Sequence, residues 1–385
     1  MQLDYIINHL GEGIKTEAIP ASPPIYQTSN FIFNTSEEMK AALAAENEIP
    51  FYTRGANPTV DLLQMKMAAL ENAEKCLMFA SGSAAISAAI LSQVKAGDHI
   101  VCVQGPYSWT KKLLVNILSR FNVTHSFVKS DSQSIASAIR DNTKLIYLES
   151  PNSWTYEMQD LEEVSLLAKK SGIRTIVDNS FASPLFQRPL DYGIDIVVHS
   201  ATKYLGGHSD VVAGALCASL EIIEEIFKGE YMTLGGIISP FDAWLMLRSL
   251  RTLPLRLEKV VNNTKIIMPF LESHEKISAV FSPLAQSFPQ PELAKKYLKQ
   301  IGGLVTIDLK TNDLNKIKSF CDTLERFKLG CSWGSYESLA FPAFTTMDSM
   351  NYQTDETIIN RIRLYIGLDD PETLMEDLNN SLAKI

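Results

Sequence analysis

From Cys76 to Ala218 the chain alternates short runs of branched apolar residues with longer stretches whose apolar residues recur at helical spacing. That rhythm restricts this region to an α/β fold built on a mostly parallel sheet. The strand candidates are Cys76–Phe79, His99–Val103, Leu145–Leu148, Thr175–Val177, Ile194–Val198 and Gly214–Ala218, with helical patterns such as DLEEVSLLAKKSG and SIASAIRDN between several of them. Most of these runs are apolar on both faces, as strands buried between two helical layers are.

Two flanking regions break the rhythm. Residues 1–55, with PASPPIYQTSNF and FYTRGANPT, are rich in turn formers and read as an extended arm that packs on something else. Residues 56–245 then form the first domain. Pro240 opens a long helical pattern, after which GGLVTIDL, LGCSWG and IRLYIGL read as strands of a second, smaller sheet, so 246–385 is expected to be a C-terminal α/β domain.

Composition narrows the function. A formal net charge of −9 disfavours nucleic acid and anionic membrane as partners, since both surfaces are negatively charged. No apolar run reaches the roughly 18 residues of a membrane span, and the first residues, with an early Asp4, lack the basic and apolar regions of a signal peptide. The five cysteines are an odd number, widely spread and without a C-x-x-C pair, which reads as reduced thiols and a cytoplasmic location.

The chemistry concentrates in TIVDNSF and IDIVVHSATKYLGGHSD, where Asp178 and Lys203 each follow a strand candidate. Ligands of open parallel sheets bind beyond the carboxyl ends of the strands. A lysine that forms an imine and an acid that keeps a pyridine nitrogen protonated are what a pyridoxal cofactor needs. The plainer reading is a surface lysine and a capping aspartate. In FASGSAAISAAI a small-residue loop runs from a strand into a helix, whose first amides at Gly82 and Ser83 are suited to a phosphate, with hydroxyls from Ser200 and Thr202 close by in sequence to Lys203. No Walker loop is present. His199 and His208 fit no common zinc spacing and are read as structural, so no metal is expected.

Nine segments in order, YTRGANPT, SGSAAI, GDHIVCVQGPY, LESPNS, VDNSFASP, HSATKYLGGHSD, LRSLRTLPLR, SWGSYESL and IRLYIGLDD, resemble the Cys/Met-metabolism pyridoxal 5'-phosphate (PLP) enzymes, the cystathionine β-lyase, γ-lyase and γ-synthase group. The resemblance implies an aminotransferase-like (fold type I) architecture: a seven-stranded, mostly parallel sheet domain, a smaller C-terminal domain and an N-terminal arm. It implies Lys203 as imine lysine and general acid/base, Asp178 at the pyridine nitrogen, and Gly82, Ser83, Ser200 and Thr202 around the phosphate. Tyr107 would stack on the ring and exchange protons with the substrate. Tyr52 and Arg54 would reach the phosphate of a neighbouring subunit, with Tyr52 also near the substrate, which requires a homo-oligomer of at least two and implies a dimer of dimers. Arg363 would clamp the carboxylate of a small amino-acid substrate, assisted by Ser332. Arg361 lies two residues away, and strand alternation would turn both toward one face; the resemblance selects Arg363.

Within the family, Trp333 of SWGSYESL, and Ser153 where many relatives carry an asparagine beneath the cofactor hydroxyl, resemble bacterial β-lyases. They tilt the expected reaction toward β-elimination from cystathionine. Cys331 stands where β-lyases often have tyrosine and γ-acting enzymes glutamate, and it supports neither. The alternative is γ-elimination or γ-replacement, as in cystathionine γ-lyase, cystathionine γ-synthase or an O-acylhomoserine sulfhydrylase.

Overall fold

The computed structural model describes residues 1–13, 20–347, 349 and 358–385. Its larger sheet contains β1 (Lys75–Phe79), β2 (His99–Val103), β3 (Thr124–Val128), β4 (Thr143–Glu149), β5 (Arg174–Asp178), β6 (Ile196–Ser200) and β7 (Gly214–Ala218). The spatial order is β1-β7-β6-β5-β4-β2-β3. The pairs from β6 through β3 are parallel, and β7 runs antiparallel to both β6 and β1.

Successive residues of the central strands enter opposite cores. Ile146 and Leu148 of β4 join Val177 and Val197 in one apolar cluster, while Leu145 and Tyr147 join Ile176 and Ile196 in the other. Burial on both faces explains why these strands read as apolar runs without alternation. Helices cover the faces and begin where the sequence supplies caps. The helix Leu161–Lys170 starts at Asp160, whose carboxylate accepts from Glu163 N, and it carries Glu162 and Glu163 in its first turn and Lys169 and Lys170 in its last. Those charges complement the helix dipole.

The smaller sheet contains β8 (Ile277–Phe281), β9 (Leu304–Leu309), β10 (Lys328–Leu329), β11 (Leu339–Pro342) and β12 (Arg361–Tyr365), in the order β10-β11-β12-β9-β8. Its core joins Val305, Ile307, Ile362 and Leu364 to Ile267 and Leu271 of the helix Leu253–Ser273 and to Leu374 and Leu378 of the helix Pro371–Leu382.

Several expectations are corrected. β3 was not expected, because THSFV is an edge strand with no fully buried residue and so lacks an apolar run. β6 begins at Ile196 rather than Ile194. Asp195 turns its carboxylate onto Thr175, accepting from its amide at 2.8 Å and its hydroxyl at 2.7 Å. The segment LGCSWG is not a strand beyond Leu329; it leaves the sheet as a loop. The long helical pattern after Pro240 divides into Pro240–Leu250 and Leu253–Ser273. Pro254, which has no amide hydrogen, sits in the first turn of the second helix, where none is required. Among the described residues, the stretch 1–55 holds two helices, Leu3–Asn8 and Ser36–Ala44. The first is clasped by the buried Lys66 ammonium, which donates to the carbonyls of Ile6 and Ile7 and pairs with Glu12 at 2.9 Å.

Ile176 is fully buried in the centre of the larger sheet. Ile176→Ala is expected to lower unfolding stability by about 2–5 kcal/mol, through lost transfer energy and an unfilled cavity, read as a fall in the urea midpoint at unchanged slope.

Candidate active site

The carboxyl ends of three neighbouring parallel strands, β4, β5 and β6, deliver Glu149, Asp178 and Ser200, and the turn after β6 carries Lys203. Glu149 and Asp178 are direct cross-strand partners. Asp178 is buried and accepts the Ser180 amide at 2.9 Å. Burial holds its carboxyl above the usual range, against the opposing pull of Ser180, His199 and Lys203. Burial also pushes Glu149 up to about 7, with the charge of Asp178 adding to it. The Glu149 oxygens accept from the Tyr107 amide at 2.7 Å and from the Ser153 hydroxyl at 2.6 Å.

The Lys203 amine donates to Ser332 Oγ at 2.8 Å and lies 5.7 Å from the centre of the Trp333 ring. Burial brings it down to about 8, helped by the nearby Arg363 charge and opposed by Cys331 and Asp178. Two features fix its backbone. Gly334 has φ +93°, and a Cβ there would stand 2.8 Å from the Lys203 carbonyl carbon and the Tyr204 nitrogen, so the loop carrying Ser332 and Trp333 rides directly on the lysine turn. From the other side the buried Arg256 guanidinium donates to Tyr204 O at 2.8 Å and Ser249 O at 3.1 Å, filling the space over Gly207.

Arg363, on β12, is buried and donates to Cys331 O at 2.9 Å. Its guanidinium carbon lies 5.3 Å from the Trp154 ring centre and 5.2 Å from that of Phe341. Arg361 instead makes two 2.8 Å bonds to Asp308, its register partner on β9. Tertiary pairing therefore distinguishes the two arginines where strand alternation does not.

Gly82 opens the helix Gly82–Leu91, capped by Ser81 Oγ, which accepts from Ala84 N at 3.1 Å. A Cβ on Gly82 would meet Ser200 Cα at 2.8 Å and Ser200 Oγ at 3.1 Å, so the helix start and the end of β6 are in close contact. Ser83 and Tyr107 line one small cavity with Trp109 and Thr110. The Thr202 hydroxyl lies 3.2 Å from Ala213 O and accepts from Ala213 N at 3.0 Å. Tyr52 and Arg54 are exposed, and the guanidinium carbon lies 5.3 Å from the tyrosine ring centre. His199 bonds the buried Glu71 at 2.5 Å, and Glu71 also accepts from Asn179 at 3.0 Å, bracing the turn after Asp178.

Reading the sequence overlooked Glu149, Trp154 and Arg256. Glu149 carried a signal, a carboxylate closing an apolar strand run in LESPNS; the other two gain their partners only through tertiary contacts.

Among the described residues, Asp178, Lys203 and Arg363 are each largely buried and none makes a side-chain ion pair. Buried charge without a partner is costly and marks a site prepared for a ligand of complementary charge. A cationic ring nitrogen suits Asp178, an aldehyde suits Lys203, a carboxylate suits Arg363, and a phosphate suits the amides at Gly82 and Ser83. The donor set fits pyridoxal 5'-phosphate bearing an amino acid.

The family model described as Cys/Met metabolism PLP-dependent enzyme matches residues 7–383. An L-methionine gamma-lyase from Treponema denticola is 38% identical over 98% of this chain and 96% of its own length. A cystathionine beta-lyase from Lactococcus lactis subsp. cremoris is 36% identical over 97% of each chain. The crystal structure of metB from Corynebacterium glutamicum superposes with a TM-score of 0.91 at 32% identity, covering 100% of this chain and 98% of that one.

Because Lys203 loses its proton near pH 8 instead of the usual 10.5, an amine-selective acylating reagent applied to the cofactor-free protein is expected to label it with a rate that rises through about pH 8. Peptide mapping gives the midpoint; one near 10.5 would show that burial does not depress this amine.

Proposed function

The chain belongs to the Cys/Met-metabolism PLP-dependent enzymes, and from that membership we propose that it cleaves cystathionine by β-elimination to homocysteine, pyruvate and ammonia. Its cofactor is pyridoxal 5'-phosphate, and its relatives include proteins named L-methionine gamma-lyase and cystathionine beta-lyase. The observation that carries the reading is the convergence of a partly neutral Lys203, an unpaired Asp178 and an unpaired Arg363 at one end of the sheet. The preference for the β-carbon rests on Trp333, whose ring centre lies 5.7 Å from the Lys203 amine, and on Ser153, which bonds Glu149, the cross-strand partner of Asp178.

When bound, the protonated pyridine ring supplies an electron sink that makes the α-hydrogen of an amino acid acidic. The residues of this chain do the rest. Asp178 would hold the ring nitrogen protonated, the amides of Gly82 and Ser83 with the hydroxyls of Ser200 and Thr202 would grip the phosphate, and Tyr107 would cover the ring. Arg363 would fix the substrate carboxylate with its planar fork, held between Trp154 and Phe341. Lys203, released to act as a base, would take the α-proton and deliver a proton to the departing sulfur, with Ser332 Oγ holding its amine between steps. The exposed arm, with Tyr52 and Arg54, would complete the phosphate site of a second subunit in a dimer or a pair of dimers. We place the protein in the cytoplasm, in keeping with five unpaired cysteines.

A second reading, γ-elimination or γ-replacement, is favoured by the activity named for the T. denticola relative. The two part at the carbon product. Incubation with cystathionine is expected to yield pyruvate; 2-oxobutyrate without pyruvate would transfer the assignment to the γ-carbon, and turnover of an O-acylhomoserine with sulfide would indicate replacement. Lys203→Ala is expected to reduce turnover by about 10³-fold or more. Arg363→Ala should raise KM about 10- to 100-fold, the worth of a charge-assisted hydrogen-bonded pair, and an unchanged KM would remove Arg363 from the carboxylate site.

A further inference from the structure

Glu149 is a buried carboxylate placed beside a second buried carboxylate, an arrangement that electrostatics alone disfavours. Among the described residues no cation pairs with it. Its two oxygens take different donors, the backbone amide of Tyr107, from the loop after β2, on one and the hydroxyl of Ser153, from the loop after β4, on the other, with the Ser153 backbone amide also drawn to the carboxylate. The amide of Tyr107 lies at the entrance to the short helix Ser108–Lys112, which has no side-chain cap. The Tyr107 side chain is partly exposed, so the backbone bond to Glu149 anchors this loop from beneath.

We infer that Glu149 is a positioning residue of the reaction, a two-pronged acceptor that sets the height of Tyr107 and the orientation of Ser153 against the reacting group. The inference rests on the roles proposed above for Tyr107 and Ser153. Carboxylate geometry suits the task, because two oxygens on one planar group fix two loops relative to a strand end that the sheet itself holds rigid. An apolar residue of similar size would leave the Tyr107 amide without its acceptor, and the loop would have to move to find another.

The test uses holoenzyme and three substitutions. Glu149→Gln keeps both contacts without the charge, since its Oε1 accepts from the Tyr107 amide while its Nε2 donates to Ser153 Oγ. Glu149→Asp keeps the charge but is one methylene short of both donors, and Glu149→Ala removes both contacts. With a misplacement of about an ångström costing on the order of 10²-fold, E149A is expected to lose turnover to about that extent, chiefly in kcat, with an altered visible absorption of the bound cofactor. E149D should fall between E149A and the parent, and E149Q should recover to within about ten-fold of the parent, one hydrogen-bond increment.

E149A with parental kcat and spectrum would overturn the inference, and so would E149Q as impaired as E149A. If E149A does not fold, E149D decides: a lowered kcat supports the role and a parental kcat refutes it. Lys203→Ala run in parallel separates this outcome from the proposed function, because an active K203A would refute that reading whatever Glu149 does.

Discussion

A parallel sheet covered on both faces leaves its polar business to the strand ends. In this protein the central strands are buried on both faces over most of their length, so the residues that close them, Glu149 on β4, Asp178 on β5 and Ser200 on β6, stand where such sheets present groups to a ligand, on backbone fixed by hydrogen bonding on both sides. Rigid placement and low dielectric come together at this edge.

The second sheet completes what the first begins. β12 presents Arg363, and the loop after β10 brings Ser332 and Trp333 across the lysine turn. That approach depends on the absence of a side chain at Gly334, where a Cβ would collide with the Lys203 backbone. The turn is also braced from behind by Arg256. Lys203 is thus gripped between two elements distant in sequence, and the depression of its amine follows from that enclosure and from the Arg363 charge brought with it.

Most of the larger sheet was legible because its strands are runs of branched apolar residues at a spacing that leaves room for helices. The edge strand β3 escaped for the opposite reason: THSFV faces solvent enough to keep His125 and Ser126, so no apolar run marks it. The SWG segment reads as a strand because its neighbours are apolar, yet it leaves the sheet to lie on the lysine turn, a demand made by residues more than a hundred positions earlier. Glu149 is visible as a carboxylate at a strand end, but its value lies in a backbone amide 42 residues away, which no local pattern discloses.

The sequence alone determined the α/β class, the order of the family-like segments and membership of a cofactor-dependent family, and it singled out Asp178 and Lys203 as the candidate chemical centre, because each depends on local periodicity or on residues whose chemistry is specific in itself. Tertiary structure alone distinguished the two arginines, since Asp308 occupies Arg361 while Arg363 pairs with no carboxylate among the described residues. It also decided that the Thr202 hydroxyl lies against Ala213 and that Glu149 joins two loops. The physical reason is the same in each case: a polar side chain acts only through what remains after its neighbours have been bonded, and those neighbours are chosen by folding.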